Sequence, residues 1–375
     1  MIDIGANLTD DVFTFPVSEG KEVSCNIEEL DFVILRAITH NVSSLILTGG
    51  DLQSSLSAIS TARKYNSKES IEKHSGILRN SLPGEVADTM ISRRSQFRLA
   101  ATVGVHPCHA NQFESTSDLL NKLQHLIEDN LDVVVAVGEC GLDYDRENFC
   151  VREIQQRHFP CHFQLAARFN LPLFFHNRNT AGDFVRVLAS HNKPGFEGVV
   201  HSYTGELSEM QDLLKAGLYI GVNGCSLKTE ENCSVVSHIP MDRLLLETDA
   251  PYCEIRASHA GFKYFQSALE DFTLNNGRHN FSYETKAFKK PKYLQALSEF
   301  NSLATEGRLS FETAQPFSSS SAFGITLKGR NEPSRISEVA LAVYQIKKSA
   351  GNLKEMNFSE FLSVIQQNTK RLFRF

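Results

Sequence analysis

Eight short runs rich in Val, Ile, Leu and Phe, each ending in polar residues, recur along the chain with helical patterns between them. This rhythm limits the fold more than any other feature. The runs are IDIGA near Ile2, SLILTGG near Leu45, LAATVGVHP near Val103, VVVAVGE near Val135, LPLFFH, GVVHSY, LYIGVNG near Ile220 and RLLLETD. Their continuous apolar character suits strands buried on both faces. LDFVILRAITHN, SDLLNKLQHLIEDN, REIQQRHFPCHFQLAARF, TAGDFVRVLASHN and SEMQDLLKAGL carry helical spacing between them. Eight strand–helix alternations predict a protein of the α/β class, a single (β/α)8 TIM barrel, in preference to an open sheet.

Two stretches break the rhythm. Residues 66–96 are polar, mixed in charge and weakly periodic, and read as an elaborated loop or surface helix between the second and third strands. Residues 268–329 hold NNGRHN, the KKPK cluster at Lys289 to Lys292 and the run Ser318 to Ser321, which favours a mobile insertion before the last helices over a second domain. The KKPK charges are read as solvated, not as a DNA path. Helical spacing returns from Glu338 to Phe361 and completes the barrel's outer ring.

Glu139, His176, His201 and Asp249 each close one of the apolar runs, and all four are metal-ligand types. In a parallel barrel every strand's carboxyl end opens on the same face, so groups far apart in sequence converge there. Two carboxylates and two imidazoles suit Mg²⁺, Mn²⁺ or Zn²⁺ without a thiolate; Mg²⁺ is the expected ion, in a site of one or two. A lone histidine at a strand end is more often a hydrogen-bonded structural residue, and the rival to a metal site is a buried polar network. The ordered set of four favours the ion. His158 and His162 imitate a helical metal pair, but Pro160 lies between them, so a solvated helix face is expected.

At 41% hydrophobic and 22% charged residues, the 375-residue chain has the composition of a globular enzyme, and no apolar run is long enough to span a bilayer. The first residues, MIDIGANLTD, carry no basic leader segment, which predicts a cytoplasmic or nuclear protein. The eight cysteines show no C-x-x-C pair and read as free thiols. A net charge of −6 excludes a broad basic footprint, so a polyanion must be held by a local site. P-loop, G-x-G-x-x-G and G-x-S-x-G motifs are absent, which removes support for nucleotide-driven, dinucleotide-dependent and serine-esterase chemistry.

The phrases IDIGANLTD, GVHPCHA, GECGLDYDR, LPLFFHNR, VVHSYTG, LLLETDAPY and RNEPSRI occur in order across nearly the whole chain. Together they resemble the TatD family of metal-dependent deoxyribonucleases. The resemblance implies a TIM barrel with a divalent metal at its carboxyl face, and hydrolysis of DNA phosphodiester bonds, often as a 3′ to 5′ exonuclease. Single-stranded DNA is the expected substrate, and RNA stays open as a second one because no residue identifies a filter against the 2′-hydroxyl. By position, Glu139 matches the metal-bridging carboxylate, with His176, His201 and Asp249 as further ligands. One departure stands out. Many members, and the wider amidohydrolase group, begin D-x-H-x-H, whereas Gly5 and Asn7 follow Asp3 here.

The expected catalytic set is Glu139 holding the metal that activates water, Asp249 orienting or deprotonating that water, and His106 donating to a phosphate oxygen. Arg178, Tyr203 and Asn7 are the expected substrate-binding residues, Arg178 by forking onto a phosphate and Tyr203 by stacking a base or offering its hydroxyl. Glu247 is expected to join only if the backbone turns, in a supporting role, and Arg330 with Glu332 to form an ion pair closing the last loop. A deaminase or cyclic-amide hydrolase on the same barrel, and an inactive barrel serving as a binding scaffold, are the alternatives. DNA ends are the expected partner, no membrane is involved, and a monomer is compatible with the sequence.

Overall fold

The computed structural model describes residues 1–13, 28–191, 196–276, 286–305 and 325–375. Eight parallel strands pair in sequence order: β1 (Ile2–Ala6), β2 (Ser44–Leu47), β3 (Arg98–Val103), β4 (Val134–Asp143), β5 (Leu173–Arg178), β6 (Gly198–Val200), β7 (Tyr219–Val222) and β8 (Leu244–Leu246). The ring closes where Ala6 bridges Ala250, with Asn7 N donating to Ala250 O at 2.6 Å and Asp249 N to Gly5 O at 2.9 Å. The chain is a (β/α)8 TIM barrel. Each of the eight apolar runs supplies one strand.

Alternation along the strands sorts their side chains into two layers. Ile4, Ile46, Ala100, Ala136, Phe174, Val199 and Leu245 pack together in one cluster, whereas Leu45, Leu47, Leu244 and Leu246 pack with the surrounding helices. Leu372 and Phe373 of the last helix join the first cluster, and that helix's Asn368 amide donates to Met241 O and Leu244 O at the start of β8. One end of the barrel is thereby plugged, leaving the carboxyl end for chemistry. Phe174 is fully buried, and its ring stacks on His201 at 4.7 Å. Truncating such a phenylalanine costs roughly 3–5 kcal/mol, so core and site share a support.

Of the two readings of residues 66–96, an elaborated loop or a surface helix, the structure shows helix. After α1 (Glu29–Thr39) and α2 (Leu52–Asn66) come two further helices, α3 (Lys68–Ser81) and α4 (Gly84–Gln96). Ser67 caps α3 by accepting from Ser70 N at 3.1 Å. Ile77, Leu78, Leu82, Ala87 and Met90 of this pair form a second core with Phe32 and Leu35 of α1 and with Tyr293 and Leu297, more than 200 residues downstream. The apolar stripe of α3 and α4 is therefore completed by a distant segment, which is why local periodicity looked weak.

Tyr293 and Leu297 belong to the stretch expected as a mobile insertion. Its described part contains the end of a helix (Gly261–Asn276), then β9 (Lys286–Phe288), a helix (Lys290–Thr305) and β10 (Ile325–Leu327), which pairs in parallel with β9. The KKPK cluster stands at the start of the second helix, where Lys292 lies 4.7 Å from the Phe288 ring. Residues 277–285 and 306–324, with the serine run, lie outside the described residues. Arg330 and Glu332 do pair, at 2.7 Å, and Glu332 also accepts from Arg36 Nε at 2.7 Å. Glu29 and Tyr293 complete this buried cluster, which ties α1 to the insertion and to the loop entering the last helices. Among the described residues, no helix is long and apolar enough to cross a membrane.

Candidate metal centre

At the carboxyl end of the barrel, β4 brings Glu139 against β5. Gly138 (φ 147°) allows this approach, because a Cβ there would collide with the Phe174 carbonyl. Two ring nitrogens then meet one carboxylate oxygen: His176 Nδ1 and His201 Nε2 each lie 2.7 Å from Glu139 Oε1. His106 Nε2 stands 3.6 Å from the same oxygen. All three expected imidazoles thus face Glu139. Asp249 opens onto the same cavity of about 710 Å³, where it accepts from Asn7 Nδ2 at 2.9 Å and from Cys253 Sγ at 3.3 Å.

The outer nitrogens of both close histidines also face carboxylates. His176 Nε2 lies 3.1 Å from Asp143 Oδ2, and His201 Nδ1 lies 3.4 Å from Glu247 Oε2. A carboxylate behind an imidazole fixes the ring's orientation and raises its basicity, the support usual around metal-binding histidines. Neither Asp143 nor the strength of Glu247's part was expected. The backbone does turn here: β8 ends at Leu246 and Asp249 adopts φ 54°. Glu247 is fully buried inside the barrel, accepting from Ser202 N and Asn223 Nδ2. Asp143 lies four positions from Glu139 on β4, an even spacing that could have flagged it.

Glu247 also explains the departure at the amino terminus. A Cβ on Gly5 would sit 2.5 Å from Glu247 Oε2, so a side chain at position 5 would require the Glu247 carboxylate to move from its place behind His201. Asp3, fully buried, accepts from Thr248 N at 2.9 Å and Thr248 Oγ1 at 2.6 Å, and holds the β8 end in place.

These contacts set the charges. Burial would raise Glu139, but His201, His106 and His176 outweigh it and hold the carboxyl well below its ordinary range. Burial would lower His176 and His201, but their carboxylate neighbours raise both. Burial, with Glu247 and Glu139 nearby, pushes Asp249 up to about 7. Burial lowers His106 to about 3, so its ring is neutral. His106 Nδ1 accepts from Cys108 N at 3.1 Å, which leaves the proton on Nε2, facing the cavity.

The donor set fits a divalent cation. His106, Glu139 and His176 each offer a donor atom within 4.8 Å of the others, as do His106, Cys108 and Asp143. Three acidic groups, Glu139, Asp143 and Asp249, line the cavity with Glu247 buried behind His201, and the raised Asp249 carboxyl registers negative charge that a cation would offset.

The remaining expectations divide. Arg178 stands at the cavity rim, its Nε 2.8 Å from Asp145 Oδ2. Tyr203 is a correction. Only 3% exposed, it donates through its hydroxyl to Glu206 O at 2.7 Å, and its backbone N donates to Gly221 O, so its ring is packed below the surface and is no stacking platform. Ser202 turns the chain here at φ 48°. The exposed aromatic ring on the cavity is instead Tyr252. His162 is a second correction: it is buried, its Nε2 accepting from Val105 N at 3.0 Å, and it steadies the segment that carries His106.

Against known proteins, the model of the TatD related DNase family matches residues 79–374. The chain belongs to that family. It is 38% identical to the deoxyribonuclease Tat-D of Schizosaccharomyces pombe over 71% of this chain and 77% of that one. It is 32% identical to the 3′-5′ ssDNA/RNA exonuclease TatD of Pectobacterium carotovorum, over 67% and 80% respectively. The crystal structure of a TatD family hydrolase from Entamoeba histolytica superposes with a TM-score of 0.69 at 29% identity, covering 99% of this chain and 97% of that one. As a TatD family member the chain is a hydrolase acting on ester bonds.

Proposed function

We propose that this TatD family protein is a metal-dependent deoxyribonuclease that removes nucleotides from single-stranded DNA ends in the 3′ to 5′ direction, with RNA as a second substrate. The observation carrying this reading is the meeting of His176 and His201 on one Glu139 oxygen, 2.7 Å from each, in a chain related to a named single-strand exonuclease. Glu139, His176, His201 and Asp249 would hold the cation, Mg²⁺ first. Bound there, it would activate water and neutralise charge on the phosphoryl oxygens.

The chain's own groups supply the rest. Asp249, opening onto the same cavity and held by Asn7, is the carboxylate placed to orient the attacking water and take its proton. His106 presents a neutral Nε2–H, a donor for a phosphate oxygen. Asn7 orients the Asp249 carboxylate. Arg146, Arg178, Lys228 and Arg256 line the cavity and supply the local positive field that a chain of net charge −6 otherwise lacks. Base stacking falls to Tyr252 in place of Tyr203.

The absence of imidazoles at Gly5 and Asn7 argues against the deaminase reading, and the assembled donors argue against an inactive scaffold. The test is digestion of end-labelled single-stranded DNA, double-stranded DNA and RNA in Mg²⁺, Mn²⁺ or Zn²⁺, with chelator as control. Chelator-sensitive release of nucleotides from single strands is expected. Turnover of a cyclic amide or nucleobase with intact DNA would reverse the assignment.

A further inference from the structure

Among the described residues seven cysteines are free thiols. Five of them behave as packing residues: burial pushes Cys108 and Cys233 up to about 11 and raises Cys140, Cys150 and Cys161 as well. Such thiols are protonated and unreactive. Cys225 and Cys253 differ. Both are only partly buried and both line the cavity, one from the loop after β7 and one from the loop after β8.

The two loops are pressed together. A Cβ on Gly224 would collide with the Cys253 carbonyl, and the Asn223 side chain pins the Cys225 amide at 2.9 Å. The two side chains are hydrogen-bonded to each other, and Lys228 and Arg178 are close enough to act on Cys225. The Cys253 hydrogen bond and the nearby cations hold the Cys225 thiol down to about 6. A thiolate and a thiol in contact, open to small molecules, are an attacking and a resolving pair.

We propose that Cys225 and Cys253 are a redox-modification site at the mouth of the cavity, closing to a disulfide when a peroxide reaches Cys225. The Cys225 thiolate attacks the peroxide O–O bond, takes one oxygen as sulfenic acid and, with a proton, releases one water. The Cys253 sulfur then attacks the sulfenic sulfur, the S–S bond forms, the S–O bond breaks, and a second water leaves. Two thiols are oxidised by two electrons and one hydrogen peroxide is reduced to two waters. The bridge removes the S–H that Cys253 gives to Asp249 at 3.3 Å, and it staples two loops across the cavity mouth. Slower DNA cleavage follows, a consequence that rests on the nuclease reading, whereas the bridge itself does not.

The test uses the full chain, treated with hydrogen peroxide, alkylated, digested and analysed by mass spectrometry. A peptide pair joined through Cys225 and Cys253, lighter by two hydrogens than the reduced pair and separated by dithiothreitol, is expected. The Cys225→Ser variant is expected to form no bridge, to cleave DNA as before and to resist peroxide. Wild-type thiols that both stay alkylatable, or a Cys225 carried to sulfinic acid with no joined peptide, overturn the proposal. A preparation that forms the bridge yet never cleaves DNA supports the thiol pair and contradicts the nuclease reading, so the two fail separately.

Discussion

His201 Nδ1 and Glu247 Oε2 face each other at 3.4 Å inside the barrel, on the far side of the ring from Glu139. The imidazole is thereby held between two carboxylates, one open to the cavity and one fully enclosed. Replacing the enclosed partner by its amide keeps the volume and removes the charge. Glu247→Gln should weaken divalent-metal affinity by roughly 10–100-fold, the usual effect of losing a carboxylate behind a metal-binding histidine. Calorimetric titration with Mn²⁺ checks this, and unchanged affinity would place Glu247 outside the centre.

His162 makes stability depend on pH. Burial lowers it to about 4 from an ordinary 6.5, so between those values the unfolded chain binds a proton that the folded chain refuses. Its contribution is complete above pH 6.5 and is lost as pH falls through that window to about 4, a total of roughly 3 kcal/mol. Urea unfolding of wild type and His162→Gln should converge as pH falls, with the variant the flatter of the two. Parallel losses would show that His162 titrates normally.

Much of the fold was legible because each strand announced itself as a compact apolar run, and the four strand-end groups followed from the shared opening of parallel strands. Asp143 and Glu247 were harder to see. Asp143 lies four positions from Glu139 on β4, and the period of two would have found it. Glu247 lies beyond the end of β8, where the chain turns and Asp249 takes φ 54°, so no strand period links the two. Tyr203 misled because a tyrosine after a site histidine looks exposed, while the turn at Ser202 and the Tyr203 N–H bond to Gly221 return its ring to the core. The second core was illegible for a different reason: Ile77 and Leu78 acquire meaning only beside Tyr293 and Leu297, and no sequence window contains both sets.

That second core is anchored by charge. Glu332, fully buried, accepts from both Arg36 and Arg330. Glu332→Ala leaves two guanidinium groups with Glu29 alone among the carboxylates of the cluster, and should destabilise the protein by about 3–5 kcal/mol. Chemical denaturation measures this directly; a change below 1 kcal/mol would mean that water or another group takes over the role.

Tyr203→Phe separates packing from substrate contact. Loss of the hydroxyl's bond to Glu206 O should cost about 1 kcal/mol of stability while kcat/KM on single-stranded DNA stays at the wild-type level. Tyr252→Ala should do the reverse, raising KM with little change in stability, since its ring is 54% exposed on the cavity. A fall in kcat/KM for Tyr203→Phe would return that residue to the substrate path.

Cleavage of end-labelled single-stranded DNA in Mg²⁺, compared between wild type and Glu139→Ala, tests most directly whether Glu139 holds the cation that drives hydrolysis. Chelator-sensitive release of label by the wild type, abolished in a variant that keeps its circular dichroism spectrum, is the predicted result. Undiminished release by Glu139→Ala would contradict it.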